Sequence, residues 1–241
     1  MANIYETEDS VAQYLHFHYG GGVGDKAAAF LPDQRGFDFA AQTVVRLLDI
    51  DEAADKTALD LGCAVGRSAF ELSKHVRAVE ASDLSSAFID AASQVATGQT
   101  VSYRLAHDGG TVTDHAVTLP EGARPDRVNF AVGDALSAIG QYDIVHASNL
   151  LCRLPEPARF LQQAAALVRP GGQFALATPS SWLESYTARD QWPEVPILDF
   201  LREHLEPAFD LVREEDIPFV IREHDRKFQL GISLGSCWRR K

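Results

Sequence analysis

The chain has 241 residues, with 22 Lys and Arg against 34 Asp and Glu, a formal charge of −12 at pH 7. That balance argues against a partner gripped mainly through phosphates, so neither tRNA nor DNA is expected as a partner. Cys63, Cys152 and Cys237 are far apart and form no C-x-x-C pair, which fits a reducing compartment and supplies neither a metal site nor a disulfide framework.

No signal-peptide pattern or apolar run of membrane length is present, so a cytoplasmic chain without membrane contact is expected. One α/β domain over residues 1–241 accounts for the length. Its N-terminal arm, residues 1–50, opens with Val11, Tyr14, Leu15 and His18 at helical spacing over residues 3–19, capped by Thr7 or by Ser10. Gly20-Gly21-Gly22-Val23-Gly24 then breaks the helix. Tyr14, His16, His18 and Tyr19 beside such a hinge suit a lid that closes over a ligand; an aromatic face packed on the domain explains them equally well. Residues 36–50 carry Phe39, Val44, Leu47 and Leu48 on a second amphipathic helix that delivers the chain to the first strand.

The organising stretch is KTALDLGCAVGRSAFELSKH, residues 56–75. Thr57-Ala58-Leu59 is a buried-strand pattern that enters Asp60-Leu61-Gly62, and Gly66 follows Gly62 by four residues. From Arg67 the apolar spacing becomes helical. A strand that runs through a glycine turn into a helix lets a ligand approach the backbone and offers it the helix's first amides. The dinucleotide fingerprint does not fit, because Ala64 stands at its middle glycine and the last glycine comes one residue early. A phosphate loop does not fit either, since Gly66-Arg67-Ser68 lacks the lysine. A second strand, residues 76–81, leads to Asp83 and Leu84. Asp83 follows Gly66 by 17 residues, near the ~20-residue offset of an acid that binds a ribose diol, and it also suits the N-terminus of a helix over Ser86–Ala96.

Residues 97–127 exceed a minimal nucleotide fold. Two alternating runs flank His107-Asp108-Gly109-Gly110, a hairpin signal. The inserted hairpin is suited to cover the sheet edge, to shape the substrate side or to meet a second subunit. A third strand, Val128–Val132, leads to Gly133-Asp134-Ala135, and a fourth, residues 142–147, leads to Ser148-Asn149-Leu150-Leu151-Cys152-Arg153-Leu154-Pro155. A helix over residues 157–168 closes at Arg169-Pro170-Gly171-Gly172 before a fifth strand, residues 173–178. Two β-rich runs, residues 209–217 and 228–234, form a closing antiparallel hairpin.

Asp60, Gly62 and Gly66 fill the acid-x-Gly-x-x-x-Gly pattern of motif I in class I S-adenosylmethionine-dependent methyltransferases, and the Arg-Pro-Gly-Gly turn resembles that family's Leu-x-Pro-Gly-Gly. The resemblance covers residues ~55–235 and implies a Rossmann-like seven-stranded sheet. It also implies S-adenosyl-L-methionine held by Asp60, Gly62, Cys63, Gly66, Asp83, Leu84, Asp134 and Ala135, with no metal.

A closer resemblance rests on Tyr5-Glu6-Thr7, Tyr14-Leu15-His16-Phe17-His18-Tyr19-Gly20, DLGCAVGRS from Asp60, NLLCRLP from Asn149, and Ser181-Trp182-Leu183-Glu184. Together they are similar to the 4-mercaptohistidine methyltransferases of ovothiol biosynthesis. In many organisms that activity follows an iron-dependent sulfoxide synthase in one polypeptide. Here it would stand free, with a separate synthase as a pathway partner. The resemblance implies methylation of the imidazole π nitrogen of a small thiol-imidazole amino acid. Asn149 stands where this fold places the acceptor, Arg153 is suited to fork a carboxylate or thiolate, and Tyr19 and His18 to orient the ring. Trp182, Tyr186 and Trp192 suit pocket walls or ordinary packing. Arg222, Arg226 and Lys227 suit a solvated face or, for one of them, a reach to the substrate.

Overall fold

A computed structural model describes residues 4–22, 25–31 and 34–241. Helix α1 (Glu8–Tyr19) starts at Thr7, whose hydroxyl accepts the Ser10 amide at 3.2 Å, so Thr7 rather than Ser10 is the cap. Helix α2 (Phe39–Leu47) buries Phe39, Val44 and Leu47. The core units are β1 (Thr57–Leu61), α3 (Arg67–Ser73), β2 (Ala78–Asp83) and α4 (Ser86–Ala96). After the hairpin β3 (Val101–Ala106) and β4 (Val112–Val117) come β5 (Val128–Val132), β6 (Tyr142–Ser148), α5 (Pro157–Leu167) and β7 (Val168–Thr178). Helix α6 (Ile197–Leu205) precedes β8 (Phe209–His224) and β9 (Lys227–Arg240).

Seven strands form one sheet in the order β5-β2-β1-β6-β7-β9-β8. The first five are parallel, β9 runs antiparallel to β7, and β8 closes the far edge against β9. This is the expected α/β Rossmann-like sheet. The chain leaves β1 toward β2 on one side and later returns to β6 on the other, so the crevice at the carboxyl ends of β1 and β6 is where such a sheet takes ligands.

Each face of the sheet is covered. Phe39, Val44, Leu47, Leu72 and Ile144 pack on one side, with α2 and α3. Phe160, Leu161, Leu201, Leu205 and Trp238 pack on the other, with α5 and α6. A third cluster joins Leu15, Val65, Phe70, Phe88, Tyr103, Leu105 and Val117, so the inserted hairpin sits on the arm and on α3 and α4. It forms its own two-stranded sheet and does not pair with β5. Its anchors are polar: Tyr103 Oη lies 3.1 Å from His16 Nδ1, and Arg222 donates to the Ala106 carbonyl at 3.0 Å. Arg222 also meets Asp25 at 3.2 Å, both side chains 5% exposed, so this arginine is no solvated face. Arg226 pairs with Asp108 and Lys227 with Glu223.

Several boundaries differ from expectation. Val76 is buried but belongs to the turn after α3, its amide bonded to Leu72 O at 3.1 Å, and β2 begins at Ala78. Burial, not strand pairing, makes Val76 apolar. Arg169-Pro170-Gly171-Gly172 lies inside β7 as a bulge: Val168 pairs with Tyr142, and pairing resumes at Gln173 opposite Ile144. A Cβ on Gly172 would stand 2.7 Å from Asp143 O, so the close strand approach excludes a side chain there. The closing hairpin is longer than residues 209–217 and 228–234, and α6 was not anticipated.

Gly66 adopts φ +85°, and a Cβ there would lie 2.8 Å from the Phe130 ring. Gly66→Ala should therefore destabilise the fold by about 2–4 kcal/mol, combining left-handed strain with overpacking. A urea midpoint lowered at constant slope would show it. An unchanged midpoint would mean the loop relaxes freely.

Candidate active site

The glycine loop between β1 and α3 is built around Asp60, which is 1% exposed. One carboxylate oxygen accepts Ser68 Oγ at 2.6 Å and the other meets His146 Nδ1 at 2.7 Å. His146 Nε2 reaches Thr43 Oγ1 at 3.0 Å. Asp60 is thus committed to protein partners, and it serves a ligand by fixing the loop. The loop's amides are largely committed as well. Gly62 and Cys63 donate to Ser82 O, Ala64 to Asp83, and Gly66 to Cys63 O. The free donors expected from the sequence are therefore few. A pyrophosphate needs several such amides; a cofactor without phosphates does not. Cys63 is buried in the loop, and burial pushes its thiol well above its ordinary value.

Asp83 ends β2 with one oxygen accepting Ala64 N at 3.0 Å and the other accepting Ser85 N at 2.9 Å. Each oxygen keeps a lone pair, as a vicinal diol requires. Burial raises the Asp83 carboxyl above its ordinary value, against the pull of those two amides. Leu84, 66% exposed, follows it, and Val132, 55% exposed, is register partner to Asp83 on β5. Beside them Asp134 caps a 3-10 turn by accepting Leu136 N at 2.9 Å, and Ala135 is buried. Two bare apolar side chains flanked by two carboxylates suit a flat base joined to a ribose. The residues present fit an adenosyl cofactor.

The arm roofs this crevice. Tyr5 stacks on Tyr186 (centroids 6.1 Å, 26° between planes), meets Tyr14 edge-on at 5.8 Å and lies 5.6 Å from Phe88. Tyr14 is partly buried, and desolvation, with the neighbouring Tyr5, raises its phenol well above its ordinary value; it also feels Arg153 and Asp83. Glu6 latches the turn down: its carboxylate accepts Ser86 N at 2.9 Å, Ser86 Oγ at 3.0 Å and Ala87 N at 3.2 Å. Ser85 Oγ donates to Tyr5 O at 2.9 Å. With Leu15, His16 and Phe17 buried too, the arm is packed on the domain. Of the supposed hinge, residues 23–24 lie outside the described residues.

Of the residues expected to face the acceptor, Asn149 and Arg153 follow β6. Asn149 takes φ +54°, and its Oδ1 accepts Ser233 Oγ at 2.7 Å. Arg153 lies 5.4 Å over the Tyr186 ring and donates to Ser181 O at 2.6 Å and Cys152 O at 3.0 Å. Tyr19 is placed differently: its hydroxyl donates to Val65 O at 2.6 Å, so its proton holds the arm to the glycine loop. His18 is buried near Asp60 and Arg67, and burial pushes it down to about 3, leaving a neutral ring whose Nδ1 has no partner. A cleft of ≈ 330 Å³ beside Tyr19, His18 and Arg67 does not include Asn149 or Arg153. Trp182 packs partly buried on the second core, and Trp192 Nε1 donates to Thr187 O at 2.8 Å, so of the three aromatics Tyr186 is the one set against Tyr5 and Arg153. Sequence reasoning did not single out Glu6 or Ser85 as contacts; a carboxylate two residues before a helical run was the available signal. Among the described residues no three His, Cys, Asp or Glu are grouped to hold a metal, and no helix is long and apolar enough to cross a membrane.

A family described as a methyltransferase domain matches residues 33–213. The chain belongs to that family. It is a methyltransferase domain, and the residues around Asp83 fit the adenosyl cofactor that such a domain would use. Among curated relatives, the ubiquinone biosynthesis O-methyltransferase of Coxiella burnetii is 26% identical over 131 residues, 54% of this chain and 47% of that protein. The chain thus spans about half the length of the curated relatives it matches. The N-methyltransferase NodS of Bradyrhizobium japonicum superposes with a TM-score of 0.56 at 15% identity, covering 87% of this chain and 98% of that one. A SAM-dependent methyltransferase of Methanosarcina mazei gives 0.52 at 17% identity, covering 81% and 95%. At these identities the superpositions establish the fold of the methyltransferase and nothing finer.

Two outcomes follow for the methyltransferase. Asp83→Ala should weaken binding of S-adenosylmethionine by roughly 1.5–3 kcal/mol, the scale of bonds to a charged group. Calorimetry on folded protein measures it, and unchanged affinity would remove Asp83 from the site. The second outcome concerns Glu6. Desolvation opposes its ionisation, but the bonds from Ser86, Ala87 and Ser85 outweigh that and hold its carboxyl below its ordinary value. Its latch is then fully present above about pH 5 and is lost as pH falls through the lowered value. Hydrogen exchange over residues 5–19, corrected for intrinsic rates, should show protection falling between pH 6 and pH 3. Equal protection at both would show that packing alone holds the arm.

Proposed function

We propose that this domain transfers the methyl group of S-adenosylmethionine to the imidazole π nitrogen of 4-mercaptohistidine. One observation carries the reading. The stretches that resemble the ovothiol methyltransferases are remote in sequence, yet they gather on one crevice. Tyr5 meets Tyr186 and Tyr14, Tyr19 bonds Val65 of the glycine loop, and Arg153 bonds Ser181. Tyr14 feels both Arg153 and Asp83, so an acceptor beside the cofactor would meet these two charges and the tyrosines together. Such a wall suits a small flat acceptor.

The bound cofactor supplies an electrophilic methyl on a sulfonium. The protein's part is positioning and exclusion of water. A thiol-imidazole with its sulfur ionised has a neutral ring nitrogen whose lone pair is available, so no base must act before transfer. His18, neutral and buried, adds no positive charge to repel the sulfonium. Arg153 supplies fixed positive charge for a thiolate or carboxylate, and the Tyr5 roof keeps water away from both. A hydroxyl acceptor, as the O-methyltransferase name of the Coxiella relatives implies for them, would need a proton removed. Neither Asn149 nor Arg153 can take one.

The experiment is kcat/KM for 4-mercaptohistidine, histidine, phenols and carboxylates with labelled cofactor, and product position by NMR. 4-Mercaptohistidine should exceed histidine by ~10⁴-fold or more, because a site built for a polar substituent is left with unpaired groups by the analogue lacking it. Arg153→Ala should narrow that ratio. Comparable rates on histidine would end the thiol-recognition reading. A methylated sulfur would end the regiochemistry, and preferred phenol turnover would replace the acceptor.

A further inference from the structure

Six buried side-chain atoms among the described residues lack a hydrogen-bond partner: His18 Nδ1, Arg46 Nη1, His75 Nε2, Ser148 Oγ, Ser180 Oγ and Arg222 Nη1. Three of them belong to side chains otherwise engaged. Arg46 pairs with Glu215, Arg222 with Asp25, and His75 approaches Glu71 at 3.9 Å. The two serine hydroxyls have no such excuse, for each is its residue's sole side-chain polar group. Both stand at the crevice. Ser148 is the last residue of β6 and the register partner of Ala177 on β7, and Ser180 comes three residues after Ala177.

The backbone marks the same place. Among the described residues three that are not glycine take positive φ: Ala64 (+47°), Asn149 (+54°) and Ser180 (+52°). They follow β1, β6 and β7, adjacent strands in the sheet. Strain of this kind persists where surroundings impose it, typically at binding sites. Around Ser180 the imposing groups are visible. Arg153 donates to Ser181 O at 2.6 Å, the Trp182 amide donates to Ser180 O at 3.0 Å, and the Ser180 amide donates to Thr178 Oγ1 at 3.2 Å. Beside Ser148, the Asn149 amide is tied to Ala177 O at 2.8 Å. Ser233 Oγ, donating to Asn149 Oδ1, makes Asn149 Nδ2 the remaining donor of that amide.

From these observations we infer that Ser148 and Ser180 are acceptor-binding residues, whose hydroxyls with Asn149 Nδ2 form a donor set for an anionic group of the acceptor. Buried hydroxyls left unpaired are unfavourable in the free protein. Donation to an incoming carboxylate or thiolate removes that penalty, so the site gains most from a ligand that brings an anion. Arg153 then acts as a positioning residue here. Its guanidinium grips Ser181, fixing the strained turn that presents Ser180. The inference rests on the proposed acceptor reading only for the identity of the anion, not for the role of the hydroxyls.

The test uses Ser148→Ala, Ser180→Ala and the double variant of the full chain. Melting of the unliganded proteins comes first. Removing an unpaired buried hydroxyl should leave Tm equal to or above that of wild type, whereas removing a structural hydrogen bond would lower it by about 3 °C or more. Calorimetry with S-adenosylhomocysteine should give affinities within about twofold of wild type. KM for the acceptor that wild type turns over best should rise by about tenfold or more in each single variant. Loss of melting temperature with KM unchanged would overturn the proposal, and so would unchanged KM alone. If the best acceptor is a phenol, the 4-mercaptohistidine reading fails while the melting and KM outcomes still decide the roles of Ser148 and Ser180. If it is 4-mercaptohistidine, its decarboxylated amine separates the two anions. Variants that lose discrimination between acid and amine place the hydroxyls on the carboxylate, and variants that lose discrimination against histidine place them on the thiolate.

Discussion

A buried carboxylate at the centre of the sheet must be paired or protonated, and the architecture here follows from how Asp60 is paired. Ser68 on α3 and His146 on β6 take its two oxygens, and Thr43 on α2 takes the other side of His146. Four elements are thereby fixed to one another by groups that have no alternative partner in water. Removing one member of such a pair leaves an uncompensated charge, an effect of about 3–5 kcal/mol in buried sites. The glycine loop lies between Asp60 and Ser68 in sequence, so both of its ends are anchored to the same side chain.

That rigidity explains how the crevice tolerates strain. Left-handed Ala64, Asn149 and Ser180 each cost about 1–3 kcal/mol, and they stand at the ends of strands whose packing is secure. The arm contributes differently. Its hold on the domain combines a packed face, the Tyr19 bond to Val65 and the Glu6 carboxylate at the start of α4. Only the last is exposed and titratable, so the roof is the part of the site that solution conditions can loosen while the strand ends stay put.

The strands were legible where two signals agreed. Thr57–Leu61 was bounded by Asp60-Leu61-Gly62, and Val128–Val132 by Gly133-Asp134, and both lie where the pattern put them. Where apolarity stood alone it misled: Val76 is buried in a turn, and only neighbouring chain explains it. Helix α6 carries no side-chain cap signal, since Pro196 stands at its N-cap position without a side-chain hydrogen bond. In the site, the position of Asp83 could be read from spacing, but the commitment of Asp60 to His146 could not. That pairing depends on register between β1 and β6, which sequence does not print. Orphan hydroxyls and left-handed non-glycine residues are equally silent, since Ser148 and Ser180 look like any serine.

The two rims of the sheet complete the picture. One is β5, only five residues long; the other is β8, sixteen residues with one side unpaired within the sheet. A long bare strand invites a second chain to add to it. Along β8, however, Asp210, Arg213, Glu214, Glu215 and Asp216 come in close succession, followed by Pro218, which has no amide to donate. A neighbouring copy would bring the same acids against these, within molecules that already repel through a charge of −12. The acids and Pro218 thus make the outermost strand a poor template for sheet extension, and the N-terminal arm holds part of its rim, Gln13 donating to Arg222 O at 3.0 Å.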